Sequence, residues 1–168
     1  MNKKIGLFWL RDDFRVSKNN GLIEATLNHD QVVVFYLYKK LTYKYQEAQK
    51  WWLSKSLIHF RKNLNKLNIN LEIIETDYFK IFFEKLFKKN DFSFYWNKVY
   101  EPDYLKFDEY LVRNLKNKNI QYKICKGNTL NEINEIKKND GTPFKVSTPF
   151  WKKKKKYYIE EIPPKEKL

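Results

Sequence analysis

Ile5-Gly6-Leu7-Phe8-Trp9-Leu10 is a short apolar run, and Gln31-Val32-Val33-Val34-Phe35-Tyr36-Leu37 is a second one rich in β-branched and aromatic residues. Each has the length of a buried strand and is too short for a helix of its own. Between them Asn19–Asn28 reads as a helix with Asn19 as its cap. The same unit then repeats. Asn70–Glu75 (NLEIIE), Phe92–Asn97 (FSFYWN) and Ile120–Cys125 (IQYKIC) read as further strands, separated by helical stretches at Gln46–Leu67, Tyr78–Lys89 and Pro102–Lys118. Strand–helix alternation predicts an α/β fold, a parallel sheet with helices on both faces. Ligands of such sheets bind beyond the carboxyl ends of the strands.

The helical stretches carry core-facing stripes at steps of three and four. In the second, these are Trp52, Leu53, Ser56, Leu57, Phe60, Leu64 and Leu67. In the third, they are Phe79, Phe82, Phe83, Leu86 and Phe87. Asp77 is placed to cap the third helix and Pro102 to open the fourth. After Cys125 the alternation stops. Residues 126–151 read as an ordered excursion with Gly127, Gly141, Pro143 and Pro149, and 152–168 as a basic linker or strap. The expected domain is therefore 1–151, with 152–168 as its tail.

Composition narrows the function classes. The net charge is +14, but 30 of the 34 basic residues are Lys. Lysine acts as a point charge, whereas bidentate phosphate and base recognition favours Arg, present only as Arg11, Arg15, Arg61 and Arg113. With Asn, Ile, Phe and Tyr also abundant, AT-rich coding accounts for much of the charge, and a solvated basic surface is preferred over a dedicated nucleic-acid groove. One cysteine, Cys125, excludes an internal disulfide and a multi-cysteine zinc site. His29 and His59 form no HExxH pair; the first is read as helping to end its helix, the second as structural. There is no GxGxxG, no GxxxxGK[ST] and no GxSxG. No catalytic residue and no metal ligand is assigned. No run of apolar residues is long enough for a membrane span, and the apolar stretch after Lys4 is too short for a signal-peptide core, so the expected location is the cytoplasm.

Three segments hold more. Trp9-Leu10-Arg11-Asp12-Asp13-Phe14-Arg15-Val16-Ser17-Lys18-Asn19-Asn20-Gly21-Leu22 crowds charge at the end of the first strand. It reads either as a ligand site or as a turn braced by Asp13 and Arg15. Asn97-Lys98-Val99-Tyr100-Glu101-Pro102 ends the fourth strand, with Glu101 placed for a ligand or for a helix N-terminus. Gly141-Thr142-Pro143-Phe144-Lys145-Val146-Ser147-Thr148-Pro149-Phe150-Trp151 is rich in turn formers and aromatics.

Together these segments resemble the DNA photolyase/cryptochrome family, in its N-terminal α/β domain. The family's W-x-R-x-D-L-R-x-x-D-N-x-x-L pattern is met by Trp9, Arg11, Asp13, Arg15, Asn19 and Leu22, with Phe14 and Lys18 as departures. Its N-x-x-Y-E-P stretch is met by Asn97, Tyr100, Glu101 and Pro102, followed by Asp108 on the helix. Its G-x-P-[YF]-x-V-[FS]-T-P-F-W closure is met from Gly141 to Trp151.

The resemblance implies a Rossmann-like three-layer sandwich with a five-stranded parallel sheet in the order 3-2-1-4-5. It implies a light-driven DNA-repair lyase whose flavin (FAD) and damaged DNA are held by a helical C-terminal domain outside this sequence. This chain by itself would then not be catalytic. It further implies an antenna chromophore, a folate or a deazaflavin, near Arg11, Tyr38, Asn97 and Glu101. Val99 stands where deazaflavin binders carry Asp, and Asp103-Tyr104 where folate binders carry Asn-Glu. The five tryptophans, Trp9, Trp51, Trp52, Trp96 and Trp151, are read as packing. Open alternatives are a stand-alone nucleotide- or partner-binding α/β module, a cryptochrome-type photoreceptor fragment and a basic nucleic-acid binder.

Overall fold

A computed structural model describes residues 5–39, 46–127, 129, 132 and 135–160, the last five of these by backbone only. The chain divides into two compact units, before and after residue 128/129. The first unit alternates strand and helix: β1 (Ile5–Leu10), α1 (Asn20–Asn28), β2 (Val32–Tyr38), α2 (Glu47–Asn65), β3 (Asn70–Glu75), α3 (Phe79–Leu86), β4 (Phe92–Asn97), α4 (Pro102–Asn117) and β5 (Tyr122–Cys125). The sheet order is β3-β2-β1-β4-β5, and every pairing is parallel. β1 lies central, with Leu7 opposite Val33 on one side and Phe94 on the other.

Successive residues of β1 point to opposite faces, so one strand feeds two cores. Phe8 and Leu10 join Leu22 and Ala25 of α1 and Leu57, Phe60 and Leu64 of α2. Trp9 joins Phe83 of α3, Leu111 and Leu115 of α4, and Phe94 and Trp96 of β4. The second core is dense in rings: Trp9 meets Phe83 edge-on at 5.0 Å, and Phe94 lies 5.1 Å from Trp96. These are the helices on both faces that alternation requires.

Helix ends follow local chemistry. Asn19 Oδ1 accepts from Leu22 N–H, the expected cap of α1. α2 and α4 stop in the same way. Asn68 and Asn119 take left-handed backbone (φ 56° and 53°), and the following Ile69 and Ile120 donate back to Leu64 and Leu115 carbonyls. Asparagine tolerates that conformation better than other side chains with a Cβ, and the buried isoleucine after it anchors the turn.

Several expectations are corrected. α3 begins one residue later than Asp77 would place it, with Tyr78 as N-cap and no side-chain cap bond; Thr76 Oγ1 accepts from Tyr78 N–H instead. Ile120 and Gln121 precede β5 rather than joining it. On α2 the buried stripe is Leu57, Phe60 and Leu64, while Trp52 and Leu67 are exposed. Adjacent helical positions are turned 100° apart, so Trp51, Trp52 and Leu53 cannot all face inward, and Leu67 falls in the turn after the helix. Of the five tryptophans only Trp9 and Trp96 are packing residues; Trp51, Trp52 and Trp151 are more than half exposed.

The second unit holds α5 (Ser147–Glu160). The basic run Lys152–Lys156 lies within this helix. Ahead of it, Asp140 Oδ1 accepts from the backbone and hydroxyl of Thr142, and Gly141 takes a φ of +79°, which closes a tight turn. Lys153 Nζ donates to Lys137 O at 2.6 Å, and Phe144 packs edge-on against Phe150. Val146 and Trp151 remain more than half exposed, and Phe150 is half-buried.

Candidate functional site

The chain leaves β1 at Arg11 with its guanidinium inside the protein, 5% exposed. Nη2 donates to Asp108 Oδ1 of α4 at 2.6 Å, and the guanidinium carbon lies 4.3 Å from the centre of the Trp9 ring and 5.3 Å from that of Tyr104. Nε and Nη1 have no hydrogen-bond partner among the described residues. Burial pulls the Arg11 pKa below its ordinary value and pushes the Asp108 carboxyl up, each opposed by the charge of the other. Next to it, Asp12 is also pushed up, by burial first and by the charge of Glu101 second.

The following turn is internally braced. Arg15 Nε and Nη2 both reach the Asp13 carboxylate at 2.7 Å, a bidentate pair. Asn19 Nδ2 donates to Arg15 O at 2.9 Å. Asn97, at the end of β4, spends both ends of its amide here: Oδ1 accepts from Gly21 N–H, and Nδ2 donates to Asn19 Oδ1, each at 2.8 Å. Gly21 permits this approach, since a Cβ there would lie 2.6 Å from Asn97 Oδ1 and 2.5 Å from the Phe8 ring.

Arg11 and Asn97 line one crevice together with Asp12, Asp13, Lys98 and Gly127, but it encloses only about 40 Å³, room for a water molecule or an ion. Tyr38 lines a different cleft of about 250 Å³, between α2 and the outer strand β3. Leu53, Leu57, Ile58 and Ile73 form its apolar wall; Lys50, Ser54 and Arg61 supply polar groups. Glu101 is the exposed N-cap of α4. Its side chain makes no cap bond, and its carbonyl accepts from Leu105 N–H. Among the described residues, then, Arg11 and Asn97 share one crevice, Tyr38 lines the other cleft, and Glu101 lines neither.

A family model described as DNA photolyase matches residues 6–167. The chain belongs to the DNA photolyase family. A deoxyribodipyrimidine photo-lyase from Agrobacterium fabrum is 27% identical over 87% of this chain and 30% of its own length. Cryptochrome-2 from Arabidopsis thaliana is 27% identical over the whole chain and 28% of its own. The crystal structure of a bacterial class III photolyase from Agrobacterium tumefaciens superposes with a TM-score of 0.79 at 25% identity, covering 97% of this chain and 33% of that one. An archaeal photolyase from Sulfolobus tokodaii shares the fold, with a TM-score of 0.74 at 19% identity over 96% of this chain and 36% of that one. The chain spans about a third of the length of these photolyase-family relatives.

In this photolyase-family chain, then, the W-x-R-x-D-x-R stretch is largely fold-holding chemistry. The role of Asp108 as the partner of Arg11 was missed, although a signal existed. Asp108, Leu111 and Leu115 share one buried helical stripe, and a carboxylate in such a stripe needs an internal cation. The cleft at Tyr38 had no sequence signal, because α2 and β3 meet only through packing.

Proposed function

We propose that this chain is the α/β module of a light-driven flavoprotein of the deoxyribodipyrimidine photolyase type. Joined to a helical domain that carries FAD, it would take part in splitting pyrimidine dimers in DNA; alone it would bind no flavin and repair nothing. The observation that carries this reading is the family match over residues 6–167. The half-exposed aromatics at the start of α5 support it, since a large exposed ring beside other apolar groups marks a surface for a partner. A cryptochrome-type photoreceptor is the second reading, because Cryptochrome-2 matches at the same identity as the photo-lyase. No helix among the described residues is long and apolar enough to cross a membrane.

Within this reading the cleft at Tyr38 suits an antenna chromophore better than the crevice at Arg11. A volume of about 250 Å³ approaches the lower end of small-molecule sites, and its apolar walls fit a flat ring. Lys50 and Arg61 would meet an anionic arm such as the glutamyl carboxylates of a folate. Such a group, when bound, absorbs light and passes the excitation to the flavin; these residues would only hold and orient it.

The test mixes the purified full chain with a methenyl-folate or a deazaflavin and follows chromophore fluorescence. Binding is expected for one of them and should be abolished by Ser54→Trp, which fills the cleft. Binding that survives Ser54→Trp but falls with Asn97→Ala would return the ligand to the β1–β4 crevice. Adding a separately produced flavin-bearing helical domain should give light-dependent repair; stoichiometric FAD on this chain alone would overturn the division of labour.

A further inference from the structure

We propose that the outward face of α2 is a binding strip for single-stranded nucleic acid, with Trp51 and Trp52 as stacking platforms and Lys55, Lys62 and Lys66 as phosphate contacts. Leu57, Phe60 and Leu64 turn one side of α2 to the core, and Lys50, Ser54 and Arg61 turn a second side to the cleft beside β3. At 100° per residue the third side carries Trp51, Trp52, Lys55, Lys62 and, just past the last turn, Lys66. All five are exposed. From residue 51 to 66 the strip runs about 22 Å at the helical rise.

A lone exposed apolar side chain needs no explanation, but two adjacent tryptophans at 56% and 66% exposure leave much apolar surface in water. Neither helix propensity nor the core calls for indoles at these positions. The rings lie edge-on at 5.5 Å and 81°, so they do not cover each other as a stack would. Lys55 Nζ sits 5.7 Å from the Trp51 ring, which places a cation beside a π face.

The charge on the strip selects the occupant. The single carboxylate of α2, Glu47, stands one turn before Trp51 on the same face and is paired with Lys50 at 2.9 Å. From Trp51 onward the strip therefore presents cations and indoles with no further carboxylate of its own helix, complementary to a polyanion that carries flat rings. Unpaired bases expose π faces that a duplex hides, and stacking with point-charge lysines is tolerant of sequence. An acidic protein segment would satisfy the lysines but not the ring faces. The strip faces away from the Tyr38 cleft, so this inference stands or falls separately from the antenna reading.

The test titrates the full chain with a labelled oligothymidylate, a duplex of equal length and polyglutamate, while tryptophan fluorescence is followed. The expected result is quenching by the single strand, affinity that falls steeply with salt, and at least a tenfold loss in Trp51→Ala/Trp52→Ala. Lys89→Gln/Lys116→Gln, of equal charge but outside α2, should change the affinity by no more than about twofold. If the tryptophan variant does not fold, Lys55→Gln/Lys62→Gln replaces it, with Lys89→Gln/Lys116→Gln as the equal-charge control. Equal losses from those two pairs, tryptophan-independent binding, tighter binding of the duplex or of polyglutamate, or no binding each overturn the proposal.

Discussion

The carboxyl edge of the sheet and the outer side of α2 make opposite use of polar and aromatic residues. At the edge, Arg11, Asp108, Asn19 and Asn97 are buried, and the hydrogen bonds they make run to one another, to the turn at Asp13–Arg15 and to the α1 backbone, with Arg11 Nε and Nη1 left without a partner among the described residues. On α2, Trp51, Trp52 and Lys55 are exposed and hold no element in place. Of the residues that match a family pattern, Trp9, Arg11, Asn19 and Asn97 are buried in the fold, whereas Glu101 and Trp151 are exposed. A polar group that is already satisfied contributes stability; one that faces solvent is available for binding.

The sharpest break in that comparison is Arg11→Ala. It leaves Asp108 buried without its cation, and about 3–5 kcal/mol of stability should be lost in denaturant unfolding. Arg11→Met combined with Asp108→Leu should recover most of it, because an apolar pair needs no desolvation of charge. A near-neutral single variant would mean that the edge is a ligand site after all.

Next is Asn97→Ala, which strands Gly21 N–H and one side of Asn19. About 2–4 kcal/mol should be lost, and α1 should fray in hydrogen exchange before the rest of the sheet. Gly21→Ala should act in the same direction, since its Cβ would meet Asn97 and Phe8.

A smaller effect is a matter of pH. Burial raises the Cys125 thiol to about 11, above the usual value of about 8.5 for an unfolded chain. The folded state then holds a proton that the unfolded state has released. Stability from this group is complete below about pH 8.5 and declines by about 2–3 kcal/mol as pH rises toward 11. The difference in unfolding free energy between the protein and Cys125→Ala should narrow over that window; a constant difference would contradict it.

At the bottom of the scale, Trp51→Ala/Trp52→Ala should change stability by no more than about 0.5 kcal/mol, as for exposed side chains outside the core. A loss of several kcal/mol in thermal unfolding would show that the indoles pack, and would erase the contrast between the two regions.

Strand positions and their parallel arrangement were legible in the amino acids alone. β1, β3 and β4 run over the same residues that their apolar runs suggested, because strand length and side-chain alternation are local properties. The Asn19 cap and the Asp13–Arg15 brace are equally local and are found as read. The order β3-β2-β1-β4-β5 was expected through the family resemblance rather than from spacing. Tertiary structure alone decided the rest. Which of Trp51, Trp52 and Leu53 turns inward depends on the angle at which α2 meets the sheet. Whether Arg11 awaits a ligand depends on a carboxylate 97 residues away. Tyr38 lines the cleft between α2 and β3 while Arg11 and Asn97 line another, a division that no local pattern encodes. Spacing along the chain fixes what a segment can become, but a side chain's role is set by its partner, and partners distant in sequence meet only when the sheet is assembled.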